Sequence, residues 1–294
     1  MNPPPEHCDP ATPPTEGNVT TRRQWLKRLT TAGVAAAAGV LANQAGAGVA
    51  WAQAQSRAAG ARLPMADFDF HIARVRFDCN VVGTGARWNV YPGAERYLLE
   101  ECARVLRSRI HIPTGAVGVN PVRGTDDMFS AVVSFDDFDS LVGHPFALMT
   151  GEGAFSFSTS QLANVKRYLD EGGFLLIDDC VLGIEGDLLF QSAVRMLERA
   201  YGRGSLVRLP NSHEIFRSAF DLTSIGLPHC QGRPHGAHAL MRGDRIAALV
   251  SPHDIHCGWV DRGGVWFPGP AVGPHAHREA IQMGVNIITY ALTR

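Results

Sequence analysis

Two aspartates and a cysteine close an apolar run in this chain: Phe174 to Ile177 is followed by Asp178, Asp179 and Cys180. A thiol at a strand end can act as a nucleophile if a base takes its proton and backbone N–H groups hold the oxyanion. His213 is the candidate base. The carboxylates count against this chemistry, because negative charge beside a thiol raises its pKa. Cys180 as a buried, inert thiol is the competing reading. Asp178 and Asp179 are candidates for ligand binding, against the alternative that one caps a helix and the other forms a salt bridge. Upstream, Phe146 to Met149 runs into Thr150, Gly151, Glu152 and Gly153. Glycines at a strand end let backbone N–H groups approach a ligand, so Gly151, Glu152 and Gly153 join the candidates. A bare Gly-x-Gly is too short to claim a nucleotide.

Seven of the twelve histidines fall between His229 and His277. His253-Asp254-x-His256-Cys257 is the densest group, and imidazole, carboxylate and thiolate together suit zinc or a similar borderline metal. His253 and His256 are therefore the metal candidates, and Asp254 a ligand-binding candidate. The spacing matches neither HExxH nor paired CxxC, and polar loop histidines are the plainer account. Trp88, Asn89, Tyr91 and Trp259 lie in expected loops. Trp88 and Asn89 are placed in the binding site, where loop aromatics stack on a sugar or another flat ligand, against the alternative that Trp88 and Trp259 cover the sheet. No Walker A motif, GxGxxG opening or GxSxG elbow is present, so the sequence names no cofactor.

The elements that must position these residues alternate between strand and helix. Between the two all-apolar runs, Leu162, Val165, Tyr168 and Leu169 recur at helical spacing, and Gly172-Gly173 ends the helix. That is a βαβ crossover with buried parallel strands. Phe70 to Phe77 reads as a first strand, with Phe70, Ile72 and Val75 facing inward and the alternation slipping at Ala73. A helix follows from Pro92 to about Arg107. Ser130 to Phe135 is a second strand, Leu188 to Tyr201 a helix and Ser205 to Leu209 a short strand. Arg242-Gly243-Asp244-Arg245 turns a hairpin, and Pro274 to Leu292 is a closing helix. The expectation is α/β: a three-layer αβα sandwich around a mostly parallel sheet. Ligands in such sheets sit at the carboxyl ends of the strands.

The first 54 residues read as a leader. Arg22 and Arg23, followed by Trp25, Leu26 and Lys27, resemble a twin-arginine export signal. An uncharged Ala/Gly/Val stretch and a small-x-small cleavage site ending at Ala52 or Ala54 follow. Residues 55–67 read as a linker and 68–294 as one domain. A periplasmic or other extracytoplasmic location follows, with an uncleaved leader acting as a membrane anchor as the alternative. The net charge of −1 and the absence of a Lys/Arg cluster in the domain argue against nucleic acid and against membrane contact beyond the export signal. Six cysteines without CxxC form no disulfide framework; Cys8 precedes the cleavage site, and Cys230–Cys257 is one pairing the count allows.

Several blocks together resemble the bacterial family known as domain of unknown function 4159: the first strand with Arg74, then WNVYPGA, VVSFDD, PFALMTGEGAFSFS, GGFLLIDDC, SHEIFRSAFDL and MGVNIITYALTR. The resemblance spans about Phe68 to Arg294. It implies a relative of the flavodoxin-like and class I glutamine amidotransferase-like sandwiches, and it places Cys180 where amidotransferase-like folds carry a nucleophilic cysteine. The family's commonest GxG block has His between the glycines. Here Glu152 stands there, and a role attached to that histidine does not carry over. The expected function is an exported protein that binds a small-molecule ligand or a protein partner in the cell envelope. The rival is a periplasmic hydrolase, metal-assisted or not, acting on a small or carbohydrate-like substrate through Glu152, Asp178, Asp179, His213 and the His253/His256 loop.

Overall fold

The structure, a computed structural model, describes residues 66–67, 70, 72–79, 88–106, 108–109, 117–120, 124–127, 130–180, 187–259 and 276–294. The expected leader, with Arg22 and Arg23, lies outside them. Seven strands form one sheet: β1 (Ala73–Val75), β2 (Ala131–Val133), β3 (Phe146–Gly151), β4 (Phe174–Asp179), β5 (Leu206–Arg208), β6 (His238–Arg242) and β7 (Arg245–Ser251). Their order is β2-β1-β3-β4-β7-β6-β5. The first five in this order are parallel, and β6 runs antiparallel to both its neighbours. The chain passes from β1 out to β2 and then back across β1 to β3. Winding therefore reverses between β1 and β3, the point where open α/β sheets leave a crevice outside the strands' carboxyl ends.

Four helices cover the sheet: α1 (Ala94–Leu106), α2 (Thr159–Asp170), α3 (Leu188–Tyr201) and α4 (Ala276–Thr293). Leu98 and Leu99 of α1 and Ile287 and Ile288 of α4 pack with Phe146, Leu148, Phe174 and Leu176 on one face. Leu162 and Val165 of α2 and Leu189 and Leu197 of α3 pack with Ala147, Met149, Leu175 and Ile177 on the other. The result is the three-layer α/β architecture that the sequence leads one to expect. Every residue of β3 and β4 is buried, which is why these strands read as unbroken apolar runs rather than alternating ones. Each large apolar side chain so buried contributes about 1.5–3 kcal/mol.

Local chemistry fixes the crossover. The Ser158 hydroxyl accepts from the Gln161 N–H while the Gln161 side chain accepts from the Ser158 N–H, a capping box that starts α2. At its other end Gly172 takes a φ of 107°. The Tyr168 ring lies over Gly173, where a Cβ would come within 2.4 Å of it. The Tyr168 hydroxyl is within hydrogen-bond reach of the His144 and Phe174 carbonyls at 2.9 and 3.2 Å, joining the helix end to the start of β4.

Three features differ from expectation. Val117–Asn120 and Gly124–Asp127 pair as a small antiparallel hairpin in a stretch read as loop. Ala66–Asp67, read as linker, pairs in parallel with Ser108–Arg109. In β1, Phe70 and Ile72 face the α1/α4 core, whereas Ala73, Val75 and Phe77 face the α2/α3 core. The segment is buried on both sides and alternates regularly, so the apparent slip at Ala73 comes from apolar residues lying on both faces.

Arg74 is fully buried within β1. Its guanidinium pairs with Glu95 in the first turn of α1. It also donates to the carbonyls of Trp88 at 3.0 Å and Val90 at 2.8 Å, and Nη1 lies 3.2 Å from His256 Nε2. The Ser130 hydroxyl donates to Glu95 at 3.4 Å. Burial alone would raise the Glu95 carboxyl, but Arg74 and the His256 ring outweigh it and hold it at about 2, against an ordinary 4.5. The folded value lies below the unfolded one, so this stabilisation is complete above about pH 4.5 and is lost as pH falls toward 2. Glu95→Gln should flatten that acid limb in thermal unfolding. At pH 7 it should lower stability by about 3–5 kcal/mol, because it leaves a buried guanidinium uncompensated. A loss below about 1 kcal/mol would show that the pair does not hold the fold.

Candidate functional site

The carboxyl ends of β3, β4 and β7 meet in register: Thr150 opposite Asp178, and Asp178 opposite Ser251. Strand alternation puts Thr150, Asp178 and Cys180 on the α1/α4 face, together with Arg74, and turns Asp179 to the α2/α3 face. The chain leaving β7 then folds back over these ends. Asp178 accepts from the backbone N–H of Ile255 at 3.1 Å and of His256 at 2.8 Å, pinning the loop that carries Asp254 and Cys257. Cys180 and Cys257 face each other, Sγ to Sγ 3.6 Å. Asp254 adopts a left-handed backbone, φ 53°, and its carboxylate accepts from the Gln231 side-chain amide at 2.6 Å. Tyr91, also left-handed at φ 45°, closes the cluster from the turn before α1. Two non-glycine residues in this conformation on one cluster mark stored strain, of order 1–3 kcal/mol each.

The electrostatics are anionic. Burial and the neighbouring Asp254 push the Asp178 carboxyl well up, against hydrogen bonds from Ser251 and the two backbone N–H groups. The hydrogen bond with Cys257 lowers the Cys180 thiol, but burial and the charges of Asp254, Glu152 and Asp178 prevail and push it to about 12. Its contact with Cys180, together with burial, raises the Cys257 thiol, and burial raises the Tyr91 phenol beside both thiols. No thiolate forms here near neutral pH unless a cation or another strong donor arrives. Buried polar atoms in the same region without a hydrogen-bond partner among the described residues include the Thr150 hydroxyl and His256 Nδ1. His256 Nε2 faces both the Arg74 guanidinium at 3.2 Å and the Glu95 carboxylate at 3.5 Å, so in either tautomer Nδ1 is the buried ring nitrogen left without a partner among the described residues.

Glu152, buried beside Gly153 at φ 89°, and Asp254 share this edge with Asp178 and Cys180. Trp88 and Asn89 are half-buried at its β1 side, with the Trp88 carbonyl on Arg74. His213 lies elsewhere. It caps the single turn Glu214–Arg217 through Nδ1 and packs on Tyr290, whose hydroxyl meets the Ile246 N–H at the start of β7. That is the amino edge of the sheet, so Cys180 has no base in His213. Asp179 accepts from the Phe190 N–H at 2.9 Å and caps α3 on the other face; burial pushes its carboxyl to about 7. Asp187, at the N-cap position, makes no side-chain cap of its own.

The histidines separate too. His253 Nε2 accepts from the Gly236 N–H at 3.2 Å, so Nδ1 carries the hydrogen and donates to the Leu227 and Pro228 carbonyls, each at 3.2 Å. Both nitrogens are engaged, which removes His253 from the metal candidates. His256 is committed through Nε2 to Arg74 and Glu95. His229, His235, His238 and His277 bind Gly232, Asp187, Gly236 and Gly258, and His275 lies outside the described residues. Trp259 is core, its indole N–H donating to the Ala280 carbonyl at 3.0 Å, and has no stacking face to offer. All five cysteines of the described chain are free. Cys230 sits behind Gly258, where a Cβ would approach its sulfur to 2.7 Å. The residue missed at the sequence level is Cys257 as the neighbour of Cys180.

A family model matches residues 71–292, which takes in β1 through almost all of α4. The chain belongs to the family named domain of unknown function (DUF4159). Comparison with curated proteins returns no match. Membership of DUF4159 brings no assigned reaction, so chemistry at this edge rests on the residues themselves.

For this DUF4159 domain, His253→Ala should remove a three-way staple between the 227–236 loop and the end of β7. Leaving a buried N–H and two carbonyls without partners should destabilise by about 1–3 kcal/mol. Denaturant unfolding measures it, and a neutral result would show that water replaces the imidazole without penalty.

Proposed function

We propose that this DUF4159 chain is a twin-arginine-exported, non-catalytic binding protein of amidotransferase-like fold. It takes a small-molecule ligand at the carboxyl edge of β1, β3 and β4. The observation that carries the reading is the pair of buried, unpartnered polar atoms at that edge, the Thr150 hydroxyl and His256 Nδ1. A buried donor or acceptor left without a partner costs about 1–3 kcal/mol, and a polar ligand reaching them removes that penalty. The strand order, reversing between β1 and β3, supports the kinship with flavodoxin-like and amidotransferase-like sandwiches and puts the crevice at the same edge. Half-buried Trp88 and Asn89 form the rim, where an indole offers a flat apolar surface to a sugar or ring. Against turnover stand the thiol of Cys180, raised to about 12, and the distance of His213 from it.

Hydrolysis assays on amide, ester and glycoside substrates should give no turnover above background. Turnover abolished by Cys180→Ala or Asp178→Asn would overturn this reading in favour of the periplasmic hydrolase. Thermal-shift screening with mono- and oligosaccharides and other small polar ligands should give hits that Trp88→Ala abolishes. Export is tested separately: the double substitution of Arg22 and Arg23 to Lys should hold the chain in the cytoplasm with its leader uncut. The exported wild type should begin at Gln53 or Gln55. Export of the double variant at the wild-type level would exclude the twin-arginine route.

A further inference from the structure

We propose that Cys180, Asp254 and Cys257 form a binding site for one thiophilic divalent cation, zinc in the first instance. Their ligand atoms all lie within 4.8 Å of one another, and all three residues are buried. The two sulfurs are 3.6 Å apart. Tetrahedral zinc with Zn–S bonds of about 2.3 Å separates two thiolates by roughly 3.8 Å, so the pair needs almost no rearrangement to chelate. Two thiols and a carboxyl gathered in the interior are not what apolar packing selects.

The three ligands come from two segments that are tied to each other. Cys180 follows the last residue of β4, with its N–H bonded to the Gly151 carbonyl at 3.1 Å. Asp254 and Cys257 stand three residues apart at the turn after β7, which the two backbone bonds to Asp178 anchor. Gln231 fixes the Asp254 carboxylate through Oδ2, the kind of outer contact that orients metal-binding carboxylates. Metal binding would displace the two thiol protons. Three protein ligands leave a fourth position, the pattern of zinc sites that accept a water or a ligand. This inference does not depend on the binding function above: a ligand screen and a metal titration fail separately.

The test uses the full chain, produced without a histidine tag and purified with and without reductant. Saturation with zinc followed by gel filtration should leave about one equivalent bound. Substitution with cobalt(II) should give thiolate-to-metal absorption in the near ultraviolet together with the visible bands of a tetrahedral ion. Cys180→Ser and Cys257→Ser should each abolish or sharply weaken that absorption, and Asp254→Asn should lower affinity more than tenfold. Cys102→Ala, a thiol of α1 remote from the cluster, should retain the spectrum. If the serine variants fail to fold, the wild-type cobalt spectrum and competition with a chromophoric chelator still decide. Free thiols with no retained zinc and no thiolate absorption would overturn the proposal. So would a Cys180–Cys257 disulfide persisting in protein purified without reductant, because oxidised sulfur cannot chelate the ion.

Discussion

Arg74 is the residue on which the carboxyl edge depends. It interrupts a fully buried strand, between Ile72 and Val75, with a charge that has no access to water. Burying a guanidinium costs several kcal/mol, and a single carboxylate repays that only when the remaining donors are also satisfied. Here most of the five donors are engaged: Nη1 meets Glu95 and His256, Nε the Trp88 carbonyl and Nη2 the Val90 carbonyl. Those two carbonyls belong to the turn that carries Tyr91 in its left-handed conformation. The third neighbour, His256, belongs to the loop carrying Asp254 and Cys257. One ion pair thus sets the relative positions of β1, the first turn of α1 and the segment after β7, three stretches far apart in sequence.

Charge is divided unevenly along that edge. On the β1 side a cation and an anion compensate each other. On the β4/β7 side Asp178, Asp254 and Glu152 surround two thiols. Strand alternation decides which groups take part. Asp178 and Asp179 are adjacent, yet one faces the thiols and pins the β7 loop while the other points through to the opposite layer and caps α3. The helix cap and the site come from a single dipeptide, so a residue inserted or deleted in β4 would exchange their roles and disable both.

The fold was legible in the sequence because parallel strands buried on both faces must be largely apolar, and β3 is so up to Met149 and β4 up to Ile177. The capping box at Ser158 and the glycines at 172 and 173 bounded α2 for equally local reasons. Strand β1 was harder to read, because a buried arginine among apolar residues of both faces disguises a doubly buried strand as a half-exposed one. The site was legible only in part. Asp178, Glu152 and Asp254 could be picked out from strand ends and residue type. The partnership of Cys180 with Cys257 could not, because 77 residues separate them and they meet only because β7 lies next to β4. Histidine density drew attention to His253 and His256, yet one bridges two loops and the other serves the Arg74 pair. A donor's availability depends on what its other nitrogen already does, and spacing carries no record of that.

The distribution of strain and unmet hydrogen bonding is itself informative. Tyr91 and Asp254 hold conformations that L side chains rarely adopt, and Thr150 and His256 each bury an unpartnered polar atom. All four lie in the same region; a third left-handed non-glycine residue, Asp187 at φ 75°, stands apart at the start of α3. Penalties of about 1–3 kcal/mol each are large beside a net stability of about 5–15 kcal/mol. Replacing Tyr91 with glycine would relieve strain but remove the phenol that closes the thiol cluster. Replacing Asp254 with glycine would relieve strain but remove the carboxylate that Gln231 orients. At both positions the side chain, not the backbone, is what the strained geometry preserves.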